Sequence, residues 1–424
     1  MNIFKQKSHL MKKVDKNKLI LPDYVENVFA AIFLLTDEVY LVGGAIRNII
    51  LGLNVKDYDL ACIEEPQALT TYLKHKGFHV APTGEKYGTI SVIIDKQAVE
   101  ITTFRNDLSY EGHRFPVCQY AKTIEEDLAR RDFTINALAY HPHKGIVDLF
   151  CGQDDIKHKL IRAVGVPGER FREDALRMMR AIRFAAQLDF EIEQATMQAI
   201  QSCAIDIQQI SKERVQQELT KILSSLAPQR AIMLLIESGL ASHIDPNVFA
   251  NKHCEDSARF LISNFSMIGN ISLLFSACVS ADVVNFLRIY HYSNSDRHNI
   301  KKFLEGFSLI KEYNAIKLKR TLSSIDKGLH KIFIQTLDHY CKMQRVDKKL
   351  YETICKDYQE IISSKQVISI EDLDIDGYDL MQLGLAGKYI REAKEYLYEE
   401  ILLHPEWNEK SQLIKIIEKS KLLK

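Results

Sequence analysis

A chain of 424 residues is too long for one ordinary hydrophobic core and implies roughly two to four domains. It is 46% hydrophobic and 26% charged, as globular proteins are, and 56 basic residues balance 56 acidic ones at a pI near 7.2. That balance excludes a positive field over the whole surface, so a nucleic-acid partner has to be met by local basic patches.

The first residues, MNIFKQKSHLMKKVDKNKL, are basic but lack the apolar core of a secretion signal. Apolar runs such as Val28–Leu35 fall well short of the ~20 residues of a membrane span. A soluble, cytoplasmic protein is expected. Val39–Val42 reads as a short strand running into Gly43-Gly44. Asp57–Cys62 alternates as a strand, and Pro66–Lys76 reads as a helix. The β-branched runs Thr89–Asp95 and Val99–Phe104 are strands, with Lys96-Gln97 as the tight turn between them. Asn106–Tyr120, polar and aromatic with Gly112 and Pro116, reads as a mobile loop. From about residue 153 the apolar period becomes 3.6, with helices over Asp174–Leu188, Arg214–Leu223 and Arg230–Leu240. Residues 255–424 read as mostly helix with Lys and Glu surfaces. The eight cysteines form no C-x-x-C pair and no zinc-ligand spacing with His, which fits reduced thiols in a cytosolic protein.

The strongest local signal is Leu41-Val-Gly-Gly-Ala-Ile-Arg47 followed by Asp57-Tyr-Asp59. A strand that ends in two glycines and opens a helix presents backbone N–H groups to triphosphate oxygens, and Arg47 falls on the first helical turn. Asp57 and Asp59, at i and i+2, share one face of a strand, where two carboxylates repel unless a cation lies between them. Mg²⁺ suits such a pair together with phosphate oxygens. Glu100, on a nearby strand, is either a third carboxylate of the set or an exposed strand acid.

With these residues in view, the chain resembles the class II tRNA nucleotidyltransferase / bacterial poly(A) polymerase family, with bacterial CCA-adding enzymes as its nearest branch. Residues 38–240 carry the match. LVGGAIRNIILG…KDYDLA is similar to the family's metal motif, and Gly84–Thr89 with Glu100–Arg105 resembles its sheet. Glu126-Asp-Leu-Ala-Arg-Arg-Asp-Phe-Thr-Ile-Asn-Ala137 resembles its second motif, and Asp148–Gly152 the joint between head and neck. Arg170-Phe-Arg-Glu-Asp-Ala-Leu-Arg177 with Arg180 and Arg183 resembles the nucleotide-selecting helix, and Ser211–Leu219 the motif that braces the neck. Asp376–Leu380 with Gly384 and Gly387 resembles the tail of Gram-positive-type members. Two places depart from the pattern. Asn48 stands where the family has Asp, and His113-Arg114-Phe115-Pro116 replaces a basic pair before proline.

The resemblance implies an α+β nucleotidyltransferase head, a small mixed sheet with helices, followed by an all-α neck, body and tail. Its boundaries would fall at 1–152, 153–225, 226–365 and 366–424. It implies addition of C and A to the 3′ end of tRNA from CTP and ATP, with Mg²⁺ as cofactor, body and tail holding the RNA, and neither membrane nor DNA as partner. CC-only or A-only addition and poly(A) synthesis are the neighbouring alternatives, and a non-catalytic RNA-binding scaffold is the alternative of another class. Gly43, Gly44, Arg47, Arg131, Asp132, Asn136, Arg180 and Arg183 would surround the nucleotide. Glu173, Asp174, Arg177, Arg180 and Arg183 are expected on one helix, with Asp174 and Arg177 reading the base. Cytosine and adenine both present an amino donor beside a ring-nitrogen acceptor. An acid that accepts from the first and an arginine that donates to the second admit C and A, while U and G meet mismatched groups at about 1–3 kcal/mol each. Tyr87 and Tyr110 are candidates for stacking on a base or as core aromatics, and the histidines suggest no metal set.

Overall fold

The structure, a computed structural model, describes residues 19–84, 88–111, 115–249, 252–276, 278 and 280–420. The chain divides into two compact units, residues 1–218 with 237–244, and residues 219–236 with 245–424.

The first unit opens with α1 (Asp23–Phe33), followed by β1 (Val39–Val42), α2 (Gly44–Ile50), β2 (Tyr58–Cys62) and α3 (Pro66–His75). The strands β3 (His79–Gly84), β4 (Thr89–Ile94), β5 (Gln97–Thr103), β6 (Arg105–Glu111) and β7 (Phe115–Tyr120) follow. Then come α4 (Ile124–Ala129), β8 (Leu138–His141), β9 (Gly145–Asp148) and α5 (Gly152–Lys157). Seven strands form one mixed sheet in the order β3-β4-β5-β2-β1-β8-β9, in which only the β2–β5 pairing is parallel. The central strands are apolar: β1 is buried throughout, and Tyr40 and Val42 pack with Phe104, Ile124 and Leu128 against α4.

Two expectations are corrected here. The β4–β5 turn is Asp95-Lys96, with φ of 49° and 67°, and Gln97 already pairs with Ile94. A two-residue hairpin turn matching strand twist needs positive φ at both central positions, and Asp tolerates it. The stretch read as a mobile loop is instead the β6–β7 hairpin, with Arg105 opposite Tyr120 and Glu111 opposite Phe115. A ribbon outside the main sheet needs no apolar alternation, and Pro116 is tolerated because, among the described residues, β7 pairs on one side only. Tyr87, His113 and Arg114 lie outside the described residues, and Tyr110 is placed on β6 by its backbone alone.

Helices complete the unit: α6 (Pro167–Glu173), α7 (Leu176–Leu188), α8 (Gln194–Cys203) and the part of α9 (Lys212–Leu223) up to Glu218, with a short parallel pair β10 (Leu160–Ile161) and β11 (Glu191–Ile192). At the start of α5, a Cβ on Gly152 would come within 2.2 Å of the Thr134 carbonyl oxygen, so only glycine lets α5 approach this closely.

The second unit is helical, with no strand among its described residues. It holds two apolar cores. One gathers Phe303, Leu318, Phe333, Leu337 and Ile354 from helices between 294 and 363. The other gathers Leu380, Ala393, Leu397, Leu413 and Ile417 from helices between 377 and 419. Among the described residues, no helix is long and apolar enough to cross a membrane.

Candidate active site

Sheet register brings the first elements of the site together. Val42 pairs with Asp59 across β1–β2, and Asp59 pairs with Glu100 across β2–β5. The chain leaves Val42 through Gly43, whose φ of 76° favours glycine. A Cβ at Gly43 would also meet Arg131 Nη1 at 2.9 Å. The Gly43 N–H donates to the Leu138 carbonyl (3.0 Å), which commits that amide to the fold.

One turn into α2, Arg47 is almost fully buried. Its Nη1 donates to Asn136 Oδ1 (2.5 Å), and its Nε and Nη2 both donate to Asn48 Oδ1 (3.1 and 2.9 Å). Burial pushes this guanidinium down to about 10; Asp132 opposes the shift, while Arg183 and Arg180 add to it. It remains charged at neutral pH. Asn48 therefore meets both donors with its single amide oxygen, where a carboxylate would offer two oxygens and a charge. Its amide also donates to the Asn54 carbonyl (3.3 Å), which a carboxylate cannot do.

Asp57 and Asp59 are exposed on either side of the buried Tyr58 and so share a face. Asp59 keeps solvent contact through the cleft but is crowded by protein around it. That desolvation raises its carboxyl to about 6, helped by Glu100 and Asp57 and opposed by Arg131. A carboxylate made costly by burial and by two neighbouring acids is a position where a cation relieves the strain. Among the described residues no group of three His, Cys, Asp or Glu side chains forms a ligand cluster. The pair fits a hard cation that takes its remaining oxygens from phosphate and water, as Mg²⁺ does.

The Arg130-Arg131-Asp132 segment is organised by a residue that sequence reasoning passed over. Asp127, buried on α4, accepts from Arg130 (2.6 Å) and Arg131 (2.9 Å). Burial alone would raise its carboxyl, but Arg131 and Arg130 reverse this and hold it below the ordinary range. The Arg131 Nε is buried with no hydrogen-bond partner, an unmet donor beside the glycine turn. Asp132 accepts from the Phe133 N–H (2.8 Å), from Asn136 Nδ2 (3.1 Å) and from Arg180 through Nε and Nη2 (2.8 and 2.6 Å). Burial opposes its ionisation, yet Arg180 first and Asn136 next bring it down to about 2.

The one-helix expectation for Glu173 through Arg183 is corrected. Glu173 ends α6, Asp174 is extended (φ −148°, ψ 101°), and α7 begins at Leu176. Asp caps helices readily, and Asp174 Oδ1 accepts the Leu176 N–H at 3.1 Å. Arg177, Arg180 and Arg183 do follow one another on α7. Asp174 is held by Arg214 of α9 (Oδ2 2.8 Å, Oδ1 3.2 Å). Arg177 is held by Glu173 (2.6 Å) and by the carbonyls of Arg130 (3.0 Å) and Arg170 (3.3 Å). Arg183 bonds Glu218 (2.5 Å) and Gln187 (2.9 Å).

These walls enclose a cleft of about 460 Å³. Gly43, Gly44, Arg47, Asp59, Arg131, Asp132, Asn136, Asp174, Arg177 and Arg180 all line it. Asp57, Glu100, Glu173 and Arg183 do not line it themselves, although each touches or electrostatically influences a group that does. Arg105, Arg130, Arg214 and Phe184 also line it and were not singled out from sequence. In all, seven arginines face three aspartates, a lining suited to a polyphosphate. Arg214 lay within the Ser211–Leu219 motif, the one signal that pointed its way.

A mixed sheet that sets an acid pair beside a glycine turn, under an arginine-lined cleft closed by two helices, defines a nucleotidyltransferase. The poly(A) polymerase head-domain family matches residues 39–162, and the family described as a probable RNA- and SrmB-binding site of polymerase A matches residues 189–251. The CCA-adding enzyme of Ligilactobacillus salivarius (strain UCC118) is 33% identical over 390 residues, covering 89% of this chain and 91% of the relative. That of Bacillus cytotoxicus (strain DSM 22905 / CIP 110041 / 391-98 / NVH 391-98) is 30% identical over 393 residues, covering 91% and 95%. The crystal structure of the Bacillus stearothermophilus CCA-adding enzyme in complex with CTP superposes with a TM-score of 0.72 at 26% identity, covering 94% of this chain and 98% of that one. The chain belongs to the CCA-adding enzyme family.

Proposed function

We propose that this enzyme completes the 3′ end of tRNA in the cytoplasm by adding C, C and A without a nucleic-acid template. Each cycle joins the RNA 3′-oxygen to the α-phosphorus of CTP or ATP, breaks the bond to the β-phosphate oxygen and releases pyrophosphate. The observation that carries this reading is the cleft itself, lined by Asp59 with Asp57 beside it, by seven arginines, and by Asp174 and Arg177.

Asp57 and Asp59, with Glu100 adjoining, would hold Mg²⁺, whose Lewis acidity lowers the cost of forming the 3′-alkoxide and of releasing pyrophosphate. Gly43 and Gly44 let the phosphates approach the backbone, and Arg47, Arg131, Arg180 and Arg183 supply positive charge to them. Asp132 and Asn136 keep Arg180 and Arg47 in place. Asp174 accepts from the base amino group and Arg177 donates to the ring nitrogen, with Glu173 orienting Arg177. Head (1–152) and neck (153–225) perform the chemistry, and body (226–365) and tail (366–424) bind the tRNA.

Three tRNA transcripts, ending at the discriminator base, after one C and after two Cs, are each incubated with Mg²⁺ and CTP, ATP or both. Growth to CCA followed by arrest is expected. Stopping at CC, adding only the last A, tailing unrelated RNA with A, or no extension would each overturn the full reading.

A further inference from the structure

We propose that Phe184 is a positioning residue for the nucleotide, its ring serving as the shared neutral surface on which three arginines converge at the cleft. This rests on the reading of the cleft as a nucleoside triphosphate site. The ring lines the cleft, and Arg183, Arg47 and Arg180 place their guanidinium carbons 4.2, 5.1 and 5.4 Å from its centroid. Arg47 comes from α2, whereas Arg180 and Arg183 share α7 with Phe184. The ring is fixed from behind by an edge-on contact with Phe133 at 5.9 Å between centroids.

Three cations gathered this closely repel one another, and each of Arg180 and Arg183 pushes the Arg47 guanidinium downward. Carboxylates offset part of that repulsion, Asp132 at Arg180 and Glu218 at Arg183. Among the described residues Arg47 makes no ion pair with a carboxylate; its donors go to the side-chain amides of Asn48 and Asn136. A π face attracts cations through its quadrupole without neutralising them. Phe184 thus holds the cluster together and leaves the charge of the cleft-lining Arg47 and Arg180 available to phosphate, which a further acid would not do.

The phosphates are common to CTP and ATP, so the two nucleotides must respond alike. The measurement is equilibrium binding of CTP and of ATP with Mg²⁺, without tRNA, together with KM and kcat for tRNA extension and thermal melting of each protein. Phe184→Leu should weaken both nucleotides by about tenfold in Kd and KM, with the CTP-to-ATP ratio unchanged. Phe184→Tyr, which keeps the π face, should recover most of that loss. Stepwise fluorination of a phenylalanine at position 184 keeps the shape and drains the face, so Kd should climb with each fluorine even if the leucine variant folds poorly. Wild-type affinity in the leucine variant, a flat response to fluorination, or a change confined to one base would overturn the proposal. Failure of the wild-type protein to extend tRNA would overturn the functional reading instead, and the binding series separates the two.

Discussion

Asp174 and Arg214 are joined by two hydrogen bonds, at 2.8 and 3.2 Å, across a separation of 40 residues. Asp174 also receives the Leu176 N–H, so the acid assigned to base reading is fixed by both of its oxygens. It sits in the break between α6 and α7. Replacing Arg214 by Ala leaves Asp174 held only by the Leu176 N–H. Losing one charged hydrogen-bond partner of this kind is worth about 1.5–3 kcal/mol. The expected outcome is a fall of roughly tenfold to hundredfold in kcat/KM for CTP and ATP, with a relative gain for UTP and GTP. Single-nucleotide extension with each of the four nucleotides checks it, and unchanged selectivity would remove Arg214 from base reading.

The raised Asp59 carboxyl predicts a proton in competition with metal. A group at about 6 in the folded chain and near 3.9 unfolded takes up its proton first in the folded state. Its contribution to the stability of the metal-free protein is therefore greatest at low pH and declines as pH rises from about 4 to about 6. Mg²⁺ needs the ionised form, so its affinity should move the opposite way. Titration of Mg²⁺ at pH 5, 6 and 7.5 should show binding weakening roughly tenfold per pH unit below about 6 and levelling above it. Asp59→Asn should abolish the pH response along with most of the affinity. Affinity independent of pH in the wild type would refute the assignment of Asp59 as a ligand.

Much of this was legible before the structure, and the limits are physical. The Gly43-Gly44 turn and the Asp57/Asp59 alternation are local patterns, governed by φ and by strand period, and they fall where the sequence places them. The break at Asp174 was hidden because the arginines at 177, 180 and 183 keep helical spacing on one side of it, and continuing that spacing backward passes straight through the cap. The β6–β7 hairpin was hidden because a ribbon outside the main sheet carries no buried stripe. Phe184 and Asp127 were hidden because their roles depend on partners brought in by the fold. A phenylalanine on an apolar helix period reads as core until guanidiniums are seen around it.

Asn48 makes the family's departure testable. Its Oδ1 takes two Arg47 donors and its Nδ2 reaches the Asn54 carbonyl, tying α2 to the segment that leads into Asp57. Asn48→Ala removes both ties and should raise KM for CTP and ATP together by about fivefold to tenfold. Asn48→Asp keeps the acceptors and loses only the exposed donor bond, so KM should stay within about threefold of wild type. Steady-state extension of a CC-ended tRNA with ATP and of a C-ended tRNA with CTP measures both. Equal defects in the aspartate and alanine variants would show that the amide donor, not the Arg47 clamp, is what this position supplies, and a larger defect in the aspartate variant would show that the added charge itself is harmful.

Gly43 joins the backbone argument to the site. At φ 76° and ψ −137° a residue with a Cβ carries strain of about 1–3 kcal/mol, and here the Cβ would also press on Arg131 Nη1 at 2.9 Å. Arg131 cannot yield freely, because its Nη2 is tied to the buried Asp127 at 2.9 Å. Gly43→Ala should therefore act twice, lowering stability by about 1–3 kcal/mol in urea unfolding and displacing a guanidinium that opposes the raised Asp59 carboxyl. The second effect has its own signature. With Arg131 moved away, the Asp59 carboxyl should rise further, and the pH at which Mg²⁺ binding fails should shift upward by about half a unit or more. The double variant Gly43→Ala with Arg131→Met separates the two effects, since the stability loss from φ persists while the upward shift is already present in Arg131→Met alone. A Gly43→Ala protein that loses stability but keeps the wild-type pH profile would confine Gly43 to the turn.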